Sequence, residues 1–87
     1  MNSLRIGIVD DLALARVVLR RVIETVPGYT LAWEASDGAQ AVAKVRADKP
    51  DVLLMDLVMP VLDGGAATKQ IMAVSPLPII IVTSSVS

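Results

Sequence analysis

Hydrophobic residues along this chain form short apolar runs that alternate with segments of helical periodicity. The first run, Leu4–Val9, is rich in β-branched residues and ends at two aspartates, which predicts a buried strand followed by a polar turn. Apolar residues then recur at helical spacing up to Pro27 and Gly28, which predicts a helix ending there. The predicted core-facing stripe of this helix is Ala15, Val18, Leu19, Val22, Ile23 and Val26. Arg16 and Arg20 fall on its other, polar face.

Three further strands and two further helices follow along the chain. The strands are predicted over residues 30–34, 51–55 and 78–82. The segment Ser36-Asp37-Gly38 is expected to supply the N-cap of the second helix, which ends by Pro50. A third helix is predicted around residues 68–72 and ends at Pro76. Strands and helices therefore alternate throughout. With right-handed crossovers, this order predicts an α/β domain with a parallel sheet and helices on both faces.

Composition narrows the class of protein. The length of 87 residues fits one domain, taken as residues 1–87. An apolar content of 54% excludes disorder, and apolar runs of only a few residues are too short to cross a bilayer. The formal net charge of -1 indicates neither a nucleic acid nor a membrane surface as partner. The absence of Cys and of an apolar leader predicts a cytoplasmic location. Without His, the chemistry must come from carboxylates and hydroxyls.

Acidic and hydroxyl residues come directly after three of the predicted strands. Asp10 and Asp11 follow the first strand, Asp56 follows the third, and Thr83 comes at the end of the fourth. Ligands of open parallel sheets bind beyond the carboxyl ends of the strands, so we expect these groups to converge there. Asp10 and Asp11 have helix capping as an alternative role. Asp56 lies in an apolar segment with no helix directly after it, and a carboxylate in such a place needs a partner.

Converging carboxylates predict a cation. Asp11 and Asp56 at a separation of about 5 Å would repel each other by about 3 kcal/mol at an effective dielectric near 20. These loops contain no Arg, Lys or His to offset the repulsion, and a site with oxygen ligands alone favours Mg²⁺. A carboxylate beside Mg²⁺ can act as the nucleophile toward a phosphoryl group, and a hydroxyl such as that of Thr83 can donate to a phosphoryl oxygen.

Three segments of the sequence resemble the receiver domain of bacterial two-component response regulators. They are residues 8–11 (Ile-Val-Asp-Asp), residues 50–64 (an Asp followed by Met-Pro and then Asp-Gly), and residues 81–84 (Ile-Val-Thr-Ser). The resemblance covers all 87 residues. It implies a flavodoxin-like, three-layer fold with the strand order of that fold.

The resemblance also implies roles for individual residues. Asp56 would accept a phosphoryl group from a sensor histidine kinase. Asp10 and Asp11, together with Asp56, would hold Mg²⁺, and the backbone carbonyl of Val58 would be a further ligand. Thr83 would be the switch hydroxyl that hydrogen-bonds the phosphoryl group.

Residues 67–72 and 76–84 are most similar to the receiver of chemotaxis methylesterases. The resemblance therefore makes such an enzyme a candidate for a full-length parent, although the chain alone is not expected to be an enzyme. Receivers have five strands and five helices, so we expect a receiver truncated after its fourth strand, with a four-stranded sheet and three helices. Helix four, strand five and helix five would be missing. Because the family's strand-five Lys would be missing too, we expect phosphorylation of Asp56 to be slow or absent.

The same shortening predicts self-association. Helix one would lie largely alone on one sheet face, and strand four would present an apolar edge that can pair with another chain. The apolar patch should exceed the few hundred Å² that monomers tolerate. We therefore expect a homodimer through the uncovered sheet face or the edge strand. Leu14 and Val17, which lie outside the predicted stripe of helix one, are consistent with this.

Other functions remain as alternatives. A receiver fragment that acts as a dimerising, structural module without phosphotransfer is the second hypothesis. A nucleotide-binding enzyme is disfavoured because the sequence has neither Gly-x-Gly-x-x-Gly after its first strand nor a Walker motif. A phosphatase with an aspartate nucleophile is disfavoured because Val58 stands where its acid/base carboxylate would be.

Overall fold

The seven predicted elements are present in the predicted order. The computed structural model of the chain describes residues 3–56 and 64–82. Its elements are β1 (Leu4–Val9), α1 (Ala13–Thr25), β2 (Tyr29–Ala35), α2 (Gly38–Ala47), β3 (Val52–Met55), α3 (Gly64–Val74) and β4 (Ile79–Ile81). Strand β2 begins one residue earlier than predicted and β4 is shorter than predicted at both ends.

The four strands form one parallel sheet in the order β2-β1-β3-β4. The predicted α/β architecture, its parallel sheet and its flavodoxin-like strand order are therefore confirmed. Backbone hydrogen bonds align the carboxyl ends of three strands: the amide of Asp56 donates to the carbonyl of Val9 at 2.9 Å, and the amide of Asp10 donates to that of Ala35 at 3.1 Å. The residues after β1 and β3 consequently leave the sheet side by side.

Each face of the sheet carries its own apolar core. On one face, α2 and α3 pack over a cluster of buried residues: Val9, Ala35, Ala41, Val42, Val45, Leu53, Met55, Ala67, Ile71 and Leu77. On the other face, Ile23 of α1 packs over Ile6, Ile8 and Val52. Strand residues that enter one core or the other must be apolar, which is why β3 and the part of β1 from Ile6 to Val9 carry no polar side chain.

Helix α1 presents a different face to the sheet from the predicted one. Leu19 and Ile23 pack into the core as expected. Val18 and Val22, which belong to the predicted stripe, are instead 52% and 55% exposed. The sequence pattern was ambiguous because apolar residues occupy more than one side of α1, and periodicity alone does not say which side meets the sheet.

Strand β2 contains an irregularity that the sequence pattern did not indicate. Ile6 of β1 is paired with Leu31 and the next residue, Gly7, with Trp33, so that Ala32 is an extra residue in β2. An extra residue in a strand reverses the alternation of side chains beyond it. The last three residues of β2 therefore project to the faces opposite to those of a regular strand.

None of the helices in the described ranges is both long and apolar enough to span a bilayer.

Candidate functional site

Three aspartate carboxylates meet at the carboxyl ends of β1 and β3. Each of Asp10, Asp11 and Asp56 contributes one oxygen to a group whose members lie within 4.8 Å of one another. Asp10 and Asp56 are buried, at 3% and 6% exposure, whereas Asp11 is exposed. The predicted convergence of the three carboxylates is therefore confirmed, while their chemical roles stay predictions.

Asp10 is held in place through its backbone and its side chain. Its Oδ1 accepts a hydrogen bond from the amide of Leu12 at 3.0 Å, which closes a turn between β1 and α1. Its carbonyl accepts one from Nη1 of Arg16 at 2.6 Å. Together with the bond from its own amide to β2, these contacts restrain Asp10 on three sides.

The capping role considered for the first two aspartates is wrong. The N-cap of α1 is Leu12, and no side chain caps this helix end. By contrast, the cap of α2 lies in the predicted segment Ser36-Asp37-Gly38 and is Asp37, whose Oδ1 accepts a hydrogen bond from the amide of Gln40 at 2.8 Å. Asp10 and Asp11 therefore precede the N-cap of α1, and each contributes a carboxylate oxygen to the cluster.

The electrostatic surroundings of Asp10 disfavour its charged form. Burial raises the pKa of Asp10 above its ordinary value, and the hydrogen bond from Leu12 lowers it in part. The negative charges of Asp56 and Asp11 raise this pKa further, and the positive charge of Arg16 lowers it. A bound cation would relieve both the burial penalty and the repulsion.

The donor set fits a hard divalent cation. All three groups are carboxylates, two are buried and one opens to solvent, and no nitrogen or sulfur ligand belongs to the group. Oxygen donors of this kind suit Mg²⁺, which keeps several waters beside one or two carboxylates. Two other predicted site residues, Val58 and Thr83, lie outside the described residues.

Sequence reasoning missed a group of charged residues beside the site. Arg16, predicted on the polar outer face of α1, has a side chain that is only 22% exposed and lies 3.6 Å (Nε to Oε1) from Glu34. Nη1 of Arg20 donates to the other oxygen of Glu34 at 2.8 Å. A signal was available for Arg16, because it lies one turn after Leu12 on the helix that directly follows the two aspartates.

The sequence is similar to bacterial proteins named protein-glutamate methylesterase/protein-glutamine glutaminase. It is 55% identical over 80 residues to protein-glutamate methylesterase/protein-glutamine glutaminase 3 of Pseudomonas aeruginosa, covering 92% of this chain and 24% of that protein. It is also 55% identical over 83 residues to protein-glutamate methylesterase/protein-glutamine glutaminase 1 of Bordetella avium, covering 95% of this chain and 24% of that protein. The chain thus spans about a quarter of the length of these relatives.

Solved structures show the same fold. The response regulator domain of Thermotoga maritima CheB superposes with a TM-score of 0.93 at 41% identity, covering 95% of this chain and 62% of that one. A two-component response regulator of the LuxR family from Aurantimonas gives a TM-score of 0.90 at 36% identity, covering 99% of this chain and 62% of that one. Residues 6–87 match the family described as the response regulator receiver domain. The strand order, the acidic cluster and these matches agree, and the chain belongs to the response regulator receiver domain family.

Proposed function

We propose that this domain accepts a phosphoryl group on Asp56 with the help of Mg²⁺ held by Asp10, Asp11 and Asp56. The observation that carries the proposal is the meeting of three carboxylates within 4.8 Å, two of them buried, in a chain of the receiver family. Burying like charges so close together costs stability, and a structural role does not explain it. By resemblance, the Val58 carbonyl is proposed as a further ligand and Thr83 as the switch hydroxyl.

Asp56 is placed to act as the nucleophile. It directly follows β3, and its amide is hydrogen-bonded to β1, so the sheet fixes the position of its backbone. An oxygen of Asp56 forms a bond to phosphorus while the bond from phosphorus to the donor breaks, and the electron pair of that bond stays with the donor. Mg²⁺, when bound, would offset the negative charge that the phosphoryl oxygens bring to the carboxylates.

The proposed donor is a phosphohistidine of a sensor histidine kinase. In that case a nitrogen–phosphorus bond breaks and the imidazole keeps its electron pair. We further propose that the domain works in the cytoplasm and that a longer parent protein is a chemotaxis methylesterase. The relatives from Pseudomonas aeruginosa and Bordetella avium, each at 55% identity, support this proposal about a parent.

Phosphorylation can be tested with a small-molecule phosphodonor such as acetyl phosphate, followed by intact-mass analysis and peptide mapping. We expect Mg²⁺-dependent labelling at Asp56 that is absent from Asp56→Asn and unchanged in Asp37→Asn, a surface control in which Asn keeps the cap of α2. Labelling at another residue, or labelling without Mg²⁺, would contradict the proposal.

The second candidate function is a module that dimerises without phosphotransfer. A specific observation favours it: an open apolar groove of about 360 Å³ lies between α1 and the end of β4, lined mainly by Leu12, Leu14, Val18 and Val82. Leu14 is 75% exposed, and Ile80 of the edge strand β4 is 53% exposed. A second copy that packs on this face, or pairs with β4, would cover these side chains. Light scattering at micromolar concentration tests this, because a stable monomer would exclude the homodimer.

A further inference from the structure

A single arginine joins the acidic cluster to a neighbouring strand. The guanidinium of Arg16 donates from Nη1 to the backbone carbonyl of Asp10 at 2.6 Å, and its Nε lies 3.6 Å from Oε1 of Glu34. The side chains of Arg16 and Glu34 are 22% and 23% exposed, so water competes only in part for both contacts. Arg16 therefore holds the peptide of Asp10 while Glu34 holds Arg16.

The extra residue in β2 is what directs Glu34 to this place. Glu34 is paired with Ile8, whose side chain packs beneath α1, and paired residues of neighbouring strands project to the same face. If β2 were regular, alternation from Leu31 would point Glu34 to the face covered by α2. The insertion of Ala32 reverses this and turns the carboxylate toward α1.

Glu34 is itself held firmly. Its Oε2 accepts a hydrogen bond from Arg20 at 2.8 Å, one helical turn beyond Arg16, so the two arginines use different oxygens of one carboxylate. Its backbone carbonyl accepts a hydrogen bond from Nζ of Lys44 on α2. Glu34 is thus held through its carboxylate by α1 and through its backbone by α2, which makes it a rigid support for Arg16.

Two effects of Arg16 on a cation at the acidic cluster oppose each other. Its positive charge repels the cation, but Glu34 shares and offsets that charge. Its hydrogen bond keeps the peptide of Asp10 in the orientation that places the Asp10 carboxylate in the cluster, and support of this kind for metal ligands is worth about 10–100-fold in affinity. The positioning effect should therefore exceed the repulsion.

We propose that Arg16 is a positioning residue for the acidic site, and that Glu34 acts on the site through Arg16. The proposal rests on the proposed function, since it concerns Mg²⁺ at the same three carboxylates. It assigns to Arg16 and to the irregularity in β2 a role in ligand binding, in addition to the packing of Ala35 that the irregularity also permits.

The direction in which Arg16→Met changes the Mg²⁺ affinity distinguishes a positioning effect from a charge effect. We expect Arg16→Met to weaken binding of Mg²⁺ alone, measured by calorimetry, by about 10-fold. A charge effect without positioning would make Arg16→Met bind Mg²⁺ more tightly, and that result would overturn the proposal. Arg16→Lys, which keeps the charge but not the fork of donors, should fall between the wild type and Arg16→Met. The weakening should persist when NaCl is raised, because it does not depend on screened repulsion.

Arg20→Met is the matched control. Arg20 lies on the same helix and binds the same Glu34, but among the contacts of the described residues it has none with Asp10. Because Arg20 reaches Asp10 only through Glu34 and Arg16, we expect Arg20→Met to weaken Mg²⁺ binding by no more than about twofold, against about 10-fold in Arg16→Met. Glu34→Gln should weaken Mg²⁺ binding in the wild type but have no further effect in Arg16→Met, if Glu34 acts through Arg16.

Hydrogen exchange offers a second measurement, which reports on the turn around Asp10 without any metal. Hydrogen exchange of the Leu12 amide, which donates to Asp10, should accelerate in Arg16→Met while that of Ala41 in α2 stays unchanged. Unchanged Leu12 exchange with unchanged Mg²⁺ affinity would refute the proposal even if Asp56 is phosphorylated. A wild-type chain that binds no Mg²⁺ would instead refute the proposed function, so the two failures are distinguishable.

Discussion

Asp10 shows how a single residue can reduce stability in a receiver's acidic site. Asp10 is 3% exposed, and one of its carboxylate oxygens lies within 4.8 Å of an oxygen of Asp11 and of Asp56. The compensating contacts are a backbone hydrogen bond from Leu12 and the charge of Arg16, neither of which prevents a raised pKa. Proteins accept such local instability where function needs it, so removal of the charge should stabilise the fold.

Asp10→Asn should therefore raise the free energy of unfolding at neutral pH by about 1 kcal/mol in the absence of divalent cations. A pKa raised in the folded state means that folding favours the protonated acid, so stability falls as pH rises through the raised pKa. The loss of stability caused by the charge of Asp10 is fully present above that pKa. It disappears at acidic pH, where Asp10 of the wild type is protonated and as neutral as Asn. Asn can still accept the hydrogen bond from Leu12.

Urea unfolding of wild type and Asp10→Asn, with a chelator present, measures this difference across pH. The difference should shrink as pH falls toward the ordinary aspartate range. Asp37→Asn is the control, because its side chain caps α2 away from the cluster. An Asp10→Asn protein that is less stable than the wild type at neutral pH would show that the charge of Asp10 is already compensated.

At the scale of elements, the sequence predicted the strands and helices of the described residues, but not which face of α1 and of the end of β2 meets the neighbouring layer. Apolar runs and helical spacing identified β1, β3 and α1, because burial on both sheet faces demands such patterns. The extra residue Ala32 left no signal, since β2 reads equally well as a regular strand. Glu34 lies beside Arg16 only because Ala32 is inserted in β2. The pattern of apolar residues therefore could not predict the group of charged residues next to the site.

The three carboxylates were predictable for a topological reason. Residues that follow neighbouring parallel strands must leave the same edge of the sheet, so Asp10 and Asp56 meet wherever β1 and β3 are adjacent. The adjacency itself came from the family resemblance. The support of Asp10 by Arg16 depends on side-chain reach and on the register of β2, which spacing does not encode.

Gly7 of β1 is an element-scale contact that can be tested. A Cβ at this position would lie 2.9 Å from Cδ2 of Leu53 and 3.1 Å from Cη2 of Trp33. Leu53 is fully buried and has little room to move. We expect Gly7→Ala to lower the free energy of unfolding by about 1–3 kcal/mol, as overpacking in a core does.

Urea unfolding again measures the change. Gly65→Ala, at an exposed position of α3, is the matched control and should be neutral or stabilising, because Ala is favoured over Gly in helices. Equal stabilities of Gly7→Ala and the wild type would mean that the side chains of Leu53 and Trp33 can move apart enough to admit a methyl group.

At the scale of the whole molecule, the acidic site links cation binding to folding. Its carboxylates come from residues 10–11 and from Asp56, which only the folded sheet brings together. A cation that binds the folded state alone adds about 1.4 kcal/mol to the free energy of unfolding at a concentration ten times its Kd. We expect Mg²⁺ to stabilise the wild type by this amount and to have a much smaller effect on Asp56→Asn. Thermal unfolding with Mg²⁺ and with NaCl of equal ionic strength measures it, and equal effects of the two salts would contradict a specific site.

The two sheet faces differ in how they are covered, which leads to a prediction about assembly. Among the described residues, α2 and α3 both pack on one face, whereas α1 packs on the other and leaves Val18, Val22 and Ile80 exposed by 52%, 55% and 53%. Ile80 is paired with Leu54, which packs on the α1 side, so these side chains belong to one surface. If this surface forms the proposed homodimer, a charge placed in it should prevent association.

Val18→Lys should therefore convert the dimer to a monomer, with a fall of at least about tenfold in association constant, because an unpaired ammonium group would have to be buried at the interface. Ala43→Lys adds the same charge at an exposed position of α2, on the opposite face, and should leave the dimer intact. Light scattering and sedimentation over a range of concentrations measure both variants. If Ala43→Lys dissociates the dimer and Val18→Lys does not, the contact lies on the α2 side, because only a charge at the interface itself must be desolvated when two copies meet.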